Sequence, residues 1–256
     1  MYVTVKNYLL ECCVDSVESA VAAQAGGADR LELCGNLIIG GTTPDIHLFL
    51  AVKKKVSIPV NVLIRPRFGD FCYTDEEFNI VQKDVEMFRE NEADGIVIGV
   101  LQPDGNLDLE RMGILMDAAG DRPVTLHRAF DVCRDPFQML RAAEKLGVRT
   151  ILTSGQKNSS YEGRELLASL VKEADGKIDI LIGGGVGAEN VEVLAKETGA
   201  RSFHMSGKAT LDSAMTYRKQ GVSMGLPVMS EYAIFRTDER KVAAVRNILN
   251  KLGSAG

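Results

Sequence analysis

The feature that most constrains this chain is an eightfold alternation of short apolar runs with longer amphipathic ones. The apolar runs are Leu9–Val14, Leu31–Cys34, Pro59–Ile64, Gly95–Leu101, Pro123–Ala129, Thr150–Ser154, Asp179–Gly183 and Ser202–Ser206. Between and after them, helical periodicity recurs at Val17–Ala25, Ile46–Val56, Glu76–Glu90, Leu109–Ala118, Phe137–Leu146, Tyr161–Ala174, Asn190–Glu197 and Asp238–Leu252. Eight strand–helix units in 256 residues match the repeat count and length of a (β/α)8 barrel, with an open doubly wound sheet as the alternative.

Local signals agree with this parsing. Asp15 with Glu18, Thr74 with Glu77 and Ser159 with Glu162 have the capping-box spacing ahead of an apolar-periodic run. Glycine clusters at Gly26-Gly27, Gly40-Gly41 and Gly183-Gly184-Gly185 punctuate the units as tight turns would. With no linker or low-complexity tract, residues 1–256 read as a single barrel domain, interrupted by a long loop at about 208–237 before the C-terminal helix.

Composition excludes several roles. A charged fraction of 25% with net charge −5, and no lysine or arginine run, argues against nucleic acid as a partner. The stretch Met1 to Lys6 lacks the pattern of a signal peptide, and no apolar stretch approaches the roughly 20 residues that span a bilayer, so a cytoplasmic protein without a membrane partner is expected. The cysteines, Cys12, Cys13, Cys34, Cys72 and Cys133, are odd in number and include no CxxC, so reduced thiols are expected.

Polar residues ride on these apolar strands. Glu11 and Cys13 share one strand face while Leu10, Cys12 and Val14 take the other, and Glu32 and Cys34 oppose Leu31 and Leu33. If the strands close, all four polar side chains enter the lumen, with Cys13 and Cys34 on neighbouring strands about 4.8 Å apart. Two thiolates so placed suit a soft ion, Cu(I) best among common metals, while the plainer reading makes both cysteines small buried fillers. Arg65, His127 and His204 join the same face. Carboxylate, imidazole and guanidinium converging in a water-restricted space suit acid–base chemistry on an anionic substrate. In the plainer reading, Glu11 and Glu32 merely neutralise Arg65 and Arg30. His47 falls in a helical region and reads as surface.

Loops after strands 6, 7 and 8 read Ser154-Gly155-Gln156, Gly183-Gly184-Gly185-Val186-Gly187 and Ser206-Gly207-Lys208, where barrels frequently hold an anion on backbone N–H groups. Ser154, Gly184, Gly185, Ser206 and Gly207 are therefore candidate anion-binding residues. Arg67 joins them from the lid-like run Arg65 to Tyr73, which carries two arginines and three aromatics. The 208–237 segment offers Met224, Leu226, Val228, Met229 and Tyr232 as a contact surface, and a dimer or tetramer is expected.

Several longer motifs carry a resemblance. The runs Glu11-Cys12-Cys13-Val14-Asp15-Ser16, Gly26-Gly27-Ala28-Asp29-Arg30-Leu31-Glu32-Leu33-Cys34 and Gly40-Gly41-Thr42-Thr43-Pro44 resemble the CutC family of copper homeostasis proteins. So do Ile64-Arg65-Pro66-Arg67, Gly69-Asp70-Phe71-Cys72-Tyr73, Leu126-His127-Arg128-Ala129-Phe130-Asp131, Leu152-Thr153-Ser154-Gly155-Gln156 and Phe203-His204. Phe68 stands where that family commonly has glycine. The resemblance implies a (β/α)8 barrel, a cytoplasmic protein and a role in copper handling, with Cu(I) on Cys13 and Cys34. Two functional classes follow. One is a Cu(I)-binding homeostasis protein; the alternative is a barrel enzyme of lyase, isomerase or hydrolase type using Glu11, Glu32, Arg65, His127 and His204 on a small phosphorylated or carboxylated metabolite.

Overall fold

In the computed structural model, which describes residues 8–225 and 229–254, the alternating runs form eight parallel strands in sequence order that close into a barrel. They are β1 (Leu9–Val14), β2 (Arg30–Leu33), β3 (Val60–Leu63), β4 (Gly95–Ile98), β5 (Val124–Leu126), β6 (Thr150–Thr153), β7 (Asp179–Ile182) and β8 (Ser202–Met205). The helices are α1 (Val17–Ala25), α2 (Ile46–Lys53), α3 (Asp75–Glu90), α4 (Leu109–Ala119), α5 (Pro136–Leu146), α6 (Arg164–Ala174), α7 (Val191–Thr198) and α8 (Glu239–Ser254). Pairing of β1 with β8 shuts the ring and excludes the open doubly wound sheet.

Strand alternation sorts the side chains as their polarity demands. Leu10, Cys12, Val14, Leu31, Leu33, Val60, Val62, Ile96, Ile98 and Phe203 belong to a continuous apolar layer shared with Phe49, Val85, Phe88, Met112, Leu140, Leu167, Leu194 and Val245 of the helices. That layer between sheet and helices holds most of the buried apolar surface and so most of the hydrophobic stabilisation. The inward residues differ. Cys13, Cys34, Leu63 and Val97 form a small separate cluster, and buried Glu11, Glu32, Asn61 and Thr125 accompany them.

At the seam, the register sets Glu11 opposite His204 on β8 and opposite Arg30 on β2, while Cys13 faces Glu32. The last helix fastens this seam from outside. Arg246 of α8 donates to the carbonyls of Gly27 (3.0 Å) and Tyr8 (3.2 Å) and pairs with Asp29, whose carboxylate also accepts the Leu10 N–H at 2.8 Å.

Several boundaries differ from expectation. Ser16, not Asp15, caps α1, accepting from the Ser19 N–H, because its extended backbone aims the hydroxyl at that amide. Ser159 and Glu162 do exchange hydrogen bonds, but in the turn that precedes α6. β5 stops at Leu126, because His127 begins a short 3-10 turn over Arg128–Val132 and accepts the Ala129 N–H on its own ring. The 208–237 segment, expected as a loop with little strand pattern, instead has its two ends paired as an antiparallel hairpin, β9 (Lys208–Asp212) with β10 (Ala233–Thr237). Among the described residues, no helix is long and apolar enough to cross a membrane.

Thr74 and Glu77 do form the reciprocal capping box at α3, with the Thr74 hydroxyl accepting from the Glu77 N–H and the Glu77 carboxylate accepting from the Thr74 N–H. Replacing Thr74 with Ala is expected to remove about 1 kcal/mol of stability, a fall of about 3 °C in Tm, read by thermal unfolding.

Candidate functional site

The carboxyl ends of the strands surround a cavity of about 560 Å³. Its walls include Cys13 and Glu32 from β1 and β2, Arg65 and Phe71 after β3, His127 after β5, Gly184 and Gly185 after β7, and His204 and Ser206 from β8 and its end. Lys208 of β9 and Arg236 of β10 reach the rim, so the hairpin forms part of the mouth. Thr237 ties the hairpin root down, its N–H donating to Ser19 Oγ at 3.1 Å and its hydroxyl to the Ser206 carbonyl at 3.0 Å.

One wall is built on Glu11, which is 1% exposed. Its carboxylate pairs with Arg30 Nε through Oε2, and its Oε1 lies 2.7 Å from His204 Nδ1. This contact turns His204 Nε2 toward Glu32, whose Oε2 is 3.7 Å away. One donor atom each from Cys13, Glu32 and His204 therefore gathers within 4.8 Å, all three residues buried. The Cys13 thiol points at the Met205 carbonyl at 3.7 Å. Cys34 stands outside that group of three but adjoins it, with its thiol 3.6 Å from Glu32 Oε2.

Burial and charge oppose each other on this wall. Burial alone raises the Glu11 pKa, but the hydrogen bond from His204 and the charge of Arg30 outweigh it and hold the group below its ordinary value. Burial disfavours the His204 cation, yet Cys13, Glu11 and Glu32 around it push its pKa well above the ordinary histidine value. Glu32 is raised, by burial first. Burial, then the charge of Glu32, also raises Cys34, so its thiol keeps its proton at neutral pH.

The other wall is cationic and aromatic. Arg65 is buried, its Nη1 donating to the Gly40 (3.4 Å) and Gly41 (3.1 Å) carbonyls and its Nη2 to the Gly69 carbonyl at 2.7 Å. Its guanidinium lies 4.9 Å from the Phe71 ring centroid, and the His127 ring lies 4.7 Å from the same centroid. Space for the imidazole comes from Gly99, where an added Cβ would sit 2.7 Å from His127 Cε1. Burial, then the charge of Arg65, depresses the His127 pKa to about 3.

The candidate residues therefore divide. Cys13, Glu32, Arg65, His127, His204, Gly184, Gly185 and Ser206 line one cavity, while Glu11 is buried behind His204. Arg67, Ser154 and Gly207, expected at an anion site, do not line it. Arg67 is held away by Glu77 (2.6 Å) and Asp70 (3.0 Å). Ser154 is occupied by Asp131, Arg128 and the Lys157 carbonyl. Gly207 sits at a positive φ where an added Cβ would meet Val242 and Thr237. Two contributors escaped the sequence reading. Asp131 organises the loop after β6 by accepting from Thr153 Oγ1 (2.6 Å) and from the backbone N–H groups of Ser154 and Gln156. Arg236 becomes visible only once the hairpin is formed; the Leu126-to-Asp131 motif was the available signal for Asp131.

Because the folded state holds His127 neutral while the unfolded chain protonates it near pH 6.5, the unfolded state binds more protons between about pH 6.5 and pH 3, and stability is lost as the pH is lowered through that window. Between pH 6.5 and 5, urea unfolding is expected to show the parent losing about 1.5 kcal/mol more than His127→Gln. Equal losses would contradict the buried neutral imidazole.

A family model for the CutC family matches residues 8–209. The human copper homeostasis protein cutC homolog is 44% identical over 248 residues, covering 95% of this chain and 91% of its own length. A CutC family protein of Parabacteroides distasonis is 44% identical over 238 residues, covering 92% of this chain and 98% of its own. The crystal structure of a CutC protein from Streptococcus agalactiae superposes with a TM-score of 0.74 at 33% identity, over 78% of this chain and 98% of that one. With the barrel, the lumen stripe and these matches in agreement, the chain belongs to the CutC family.

Proposed function

We propose that this protein handles copper in the cytoplasm, taking Cu(I) as cargo through Cys13 and Cys34 at the barrel mouth, with His204 and Glu32 beside the ion. The observation that carries this reading is the gathering of Cys13, Glu32 and His204 donor atoms within 4.8 Å, with the Cys34 thiol next to Glu32. Cys13 and Cys34 also share one small apolar cluster inside the lumen. Thiolate donors select a soft monovalent copper ion over harder cations, and a dry, shaped pocket protects it from water. Glu11 acts through His204, fixing its ring by the bond to Nδ1 and leaving Nε2 toward the ion.

The donor set supports cargo rather than a rigid resident metal. Cys34 is protonated at neutral pH and His204 is charged, so the ion enters by displacing protons, and its affinity rises with pH. All five cysteines are free, as a reducing compartment requires. The name of the human relative, a copper homeostasis protein homolog, points the same way. The reading includes a dimer or tetramer joined through the hairpin segment, where Leu211, Met215, Tyr217, Val222 and Met224 are exposed; Leu226 and Val228 of the expected contact surface lie outside the described residues.

Two measurements test this. Anaerobic Cu(I) titration against a competing chelator is expected to give stoichiometric binding that weakens at least about tenfold in Cys13→Ser and is abolished in Cys13→Ser/Cys34→Ser. Unchanged affinity in the double variant overturns the proposal. Light scattering is expected to give the mass of two or four chains; the mass of one chain rejects the oligomer.

A further inference from the structure

We propose that the wall across the barrel from Cys13 is a binding site for the carboxylate of a small organic acid, held between the Nε–H of Arg65 and the Nε2–H of His127. Both residues line the 560 Å³ cavity, and both are more than nine-tenths buried, Arg65 at 8% and His127 at 4% exposure. Neither of these two nitrogens makes a hydrogen bond of good geometry among the described residues, and the group that adjoins the Arg65 guanidinium is the uncharged Tyr73 hydroxyl. They flank one ring, since guanidinium and imidazole each lie within 5 Å of the Phe71 centroid.

The protonation of His127 follows from its neighbours. Nδ1 accepts the Ala129 N–H at 3.2 Å, so in the neutral ring the proton sits on Nε2. Arg65 is prepared in a different way. Its two terminal nitrogens are spent on the carbonyls of Gly40, Gly41 and Gly69, which are dipoles and carry no net charge. Among the described residues no carboxylate forms an ion pair with it, whereas Arg128 is paired with Asp131 at 2.6 Å and Arg236 has Glu18 at 3.8 Å. A buried cation without a counter-charge, beside a buried donor without an acceptor, is costly unless a ligand completes both.

The ligand class follows from this count. Two N–H donors beside one aromatic ring and one uncompensated positive charge match the two oxygens and single charge of a carboxylate. A phosphate dianion carries a third terminal oxygen and a second charge, which two N–H donors and one cation do not match. This site goes beyond copper handling and uses none of the residues proposed to hold the ion, so the two readings stand or fall separately.

Thermal shift of the full-length, copper-free protein tests the site, with acetate, pyruvate, malonate and inorganic phosphate as probes at constant ionic strength. At least one carboxylate at about 10 mM is expected to raise Tm by about 5 °C, with a smaller shift from phosphate. His127→Asn keeps an acceptor for the Ala129 N–H but removes the donor at the Nε2 position, and is expected to weaken carboxylate affinity at least about tenfold. His127→Gln, which returns an N–H there, is expected to restore much of it, and Arg65→Gln to abolish it. If Arg65→Gln does not fold, the His127 pair alone decides. The proposal is overturned if no carboxylate stabilises the protein, if His127→Asn responds like the parent, or if phosphate stabilises where carboxylates do not. Cu(I) affinity of His127→Asn is expected to equal that of the parent.

Discussion

The site depends on one buried carboxylate, Glu11, placed where the barrel closes. An isolated carboxylate so deep would cost several kcal/mol, and the group stays ionised because Arg30 meets one oxygen and His204 the other. Those partners come from the strands on either side of β1, so the ion-pair chain runs from β2 through β1 and across the seam to β8. Orientation of His204 follows from it, and with that the approach of Nε2 to Glu32 and Cys13. Closing the barrel and assembling the site are thus one event.

The cavity is electrically divided. On the β1, β2 and β8 side, the Glu11 and Glu32 carboxylates surround His204 and favour its charged form, while burial keeps the proton on Cys34. On the β3 and β5 side, a cation is held by carbonyl dipoles and an aromatic face beside an imidazole kept neutral. A cation and an anion brought together here would each meet the wall of opposite character. Such a division is more than an ion carrier of two sulfurs requires, and it explains why the lumen holds polar groups that a packed barrel core would replace with aliphatic layers.

Most of this was legible in the chain because a strand's two-residue period converts position into direction. Glu11, Cys13, Glu32 and Cys34 were placed inside by that rule alone, and His127 and His204 followed at strand ends. What escaped lies where direction is set by something other than a strand. Arg67 sits in a loop, and its ion pair with Glu77 at the start of α3 turns it away from the cavity. Ser154 was readable as a strand-end hydroxyl, but not as one consumed by Asp131, which is distant by 23 residues. The hairpin was hidden for a related reason. Its strands are separated by about twenty residues, with β9 largely exposed and β10 only half-buried, so neither carries the apolar alternation that marks a strand with a buried face.

The clamp formed by Arg246 sets a schedule for synthesis. A chain leaves the ribosome from its N-terminal end, and β1 is among the first structured segments to emerge. Its partner β8 follows about 190 residues later, and the α8 arginine that satisfies the Tyr8 and Gly27 carbonyls and Asp29 later still. At ordinary translation speeds of about 5–20 residues per second, the first strand waits roughly 10–40 s with one edge open and the Glu11 carboxylate in water. Until β8 arrives the wall built on Glu11 lacks His204, and the two lumenal thiols stand unsheltered from surrounding ions and chaperones.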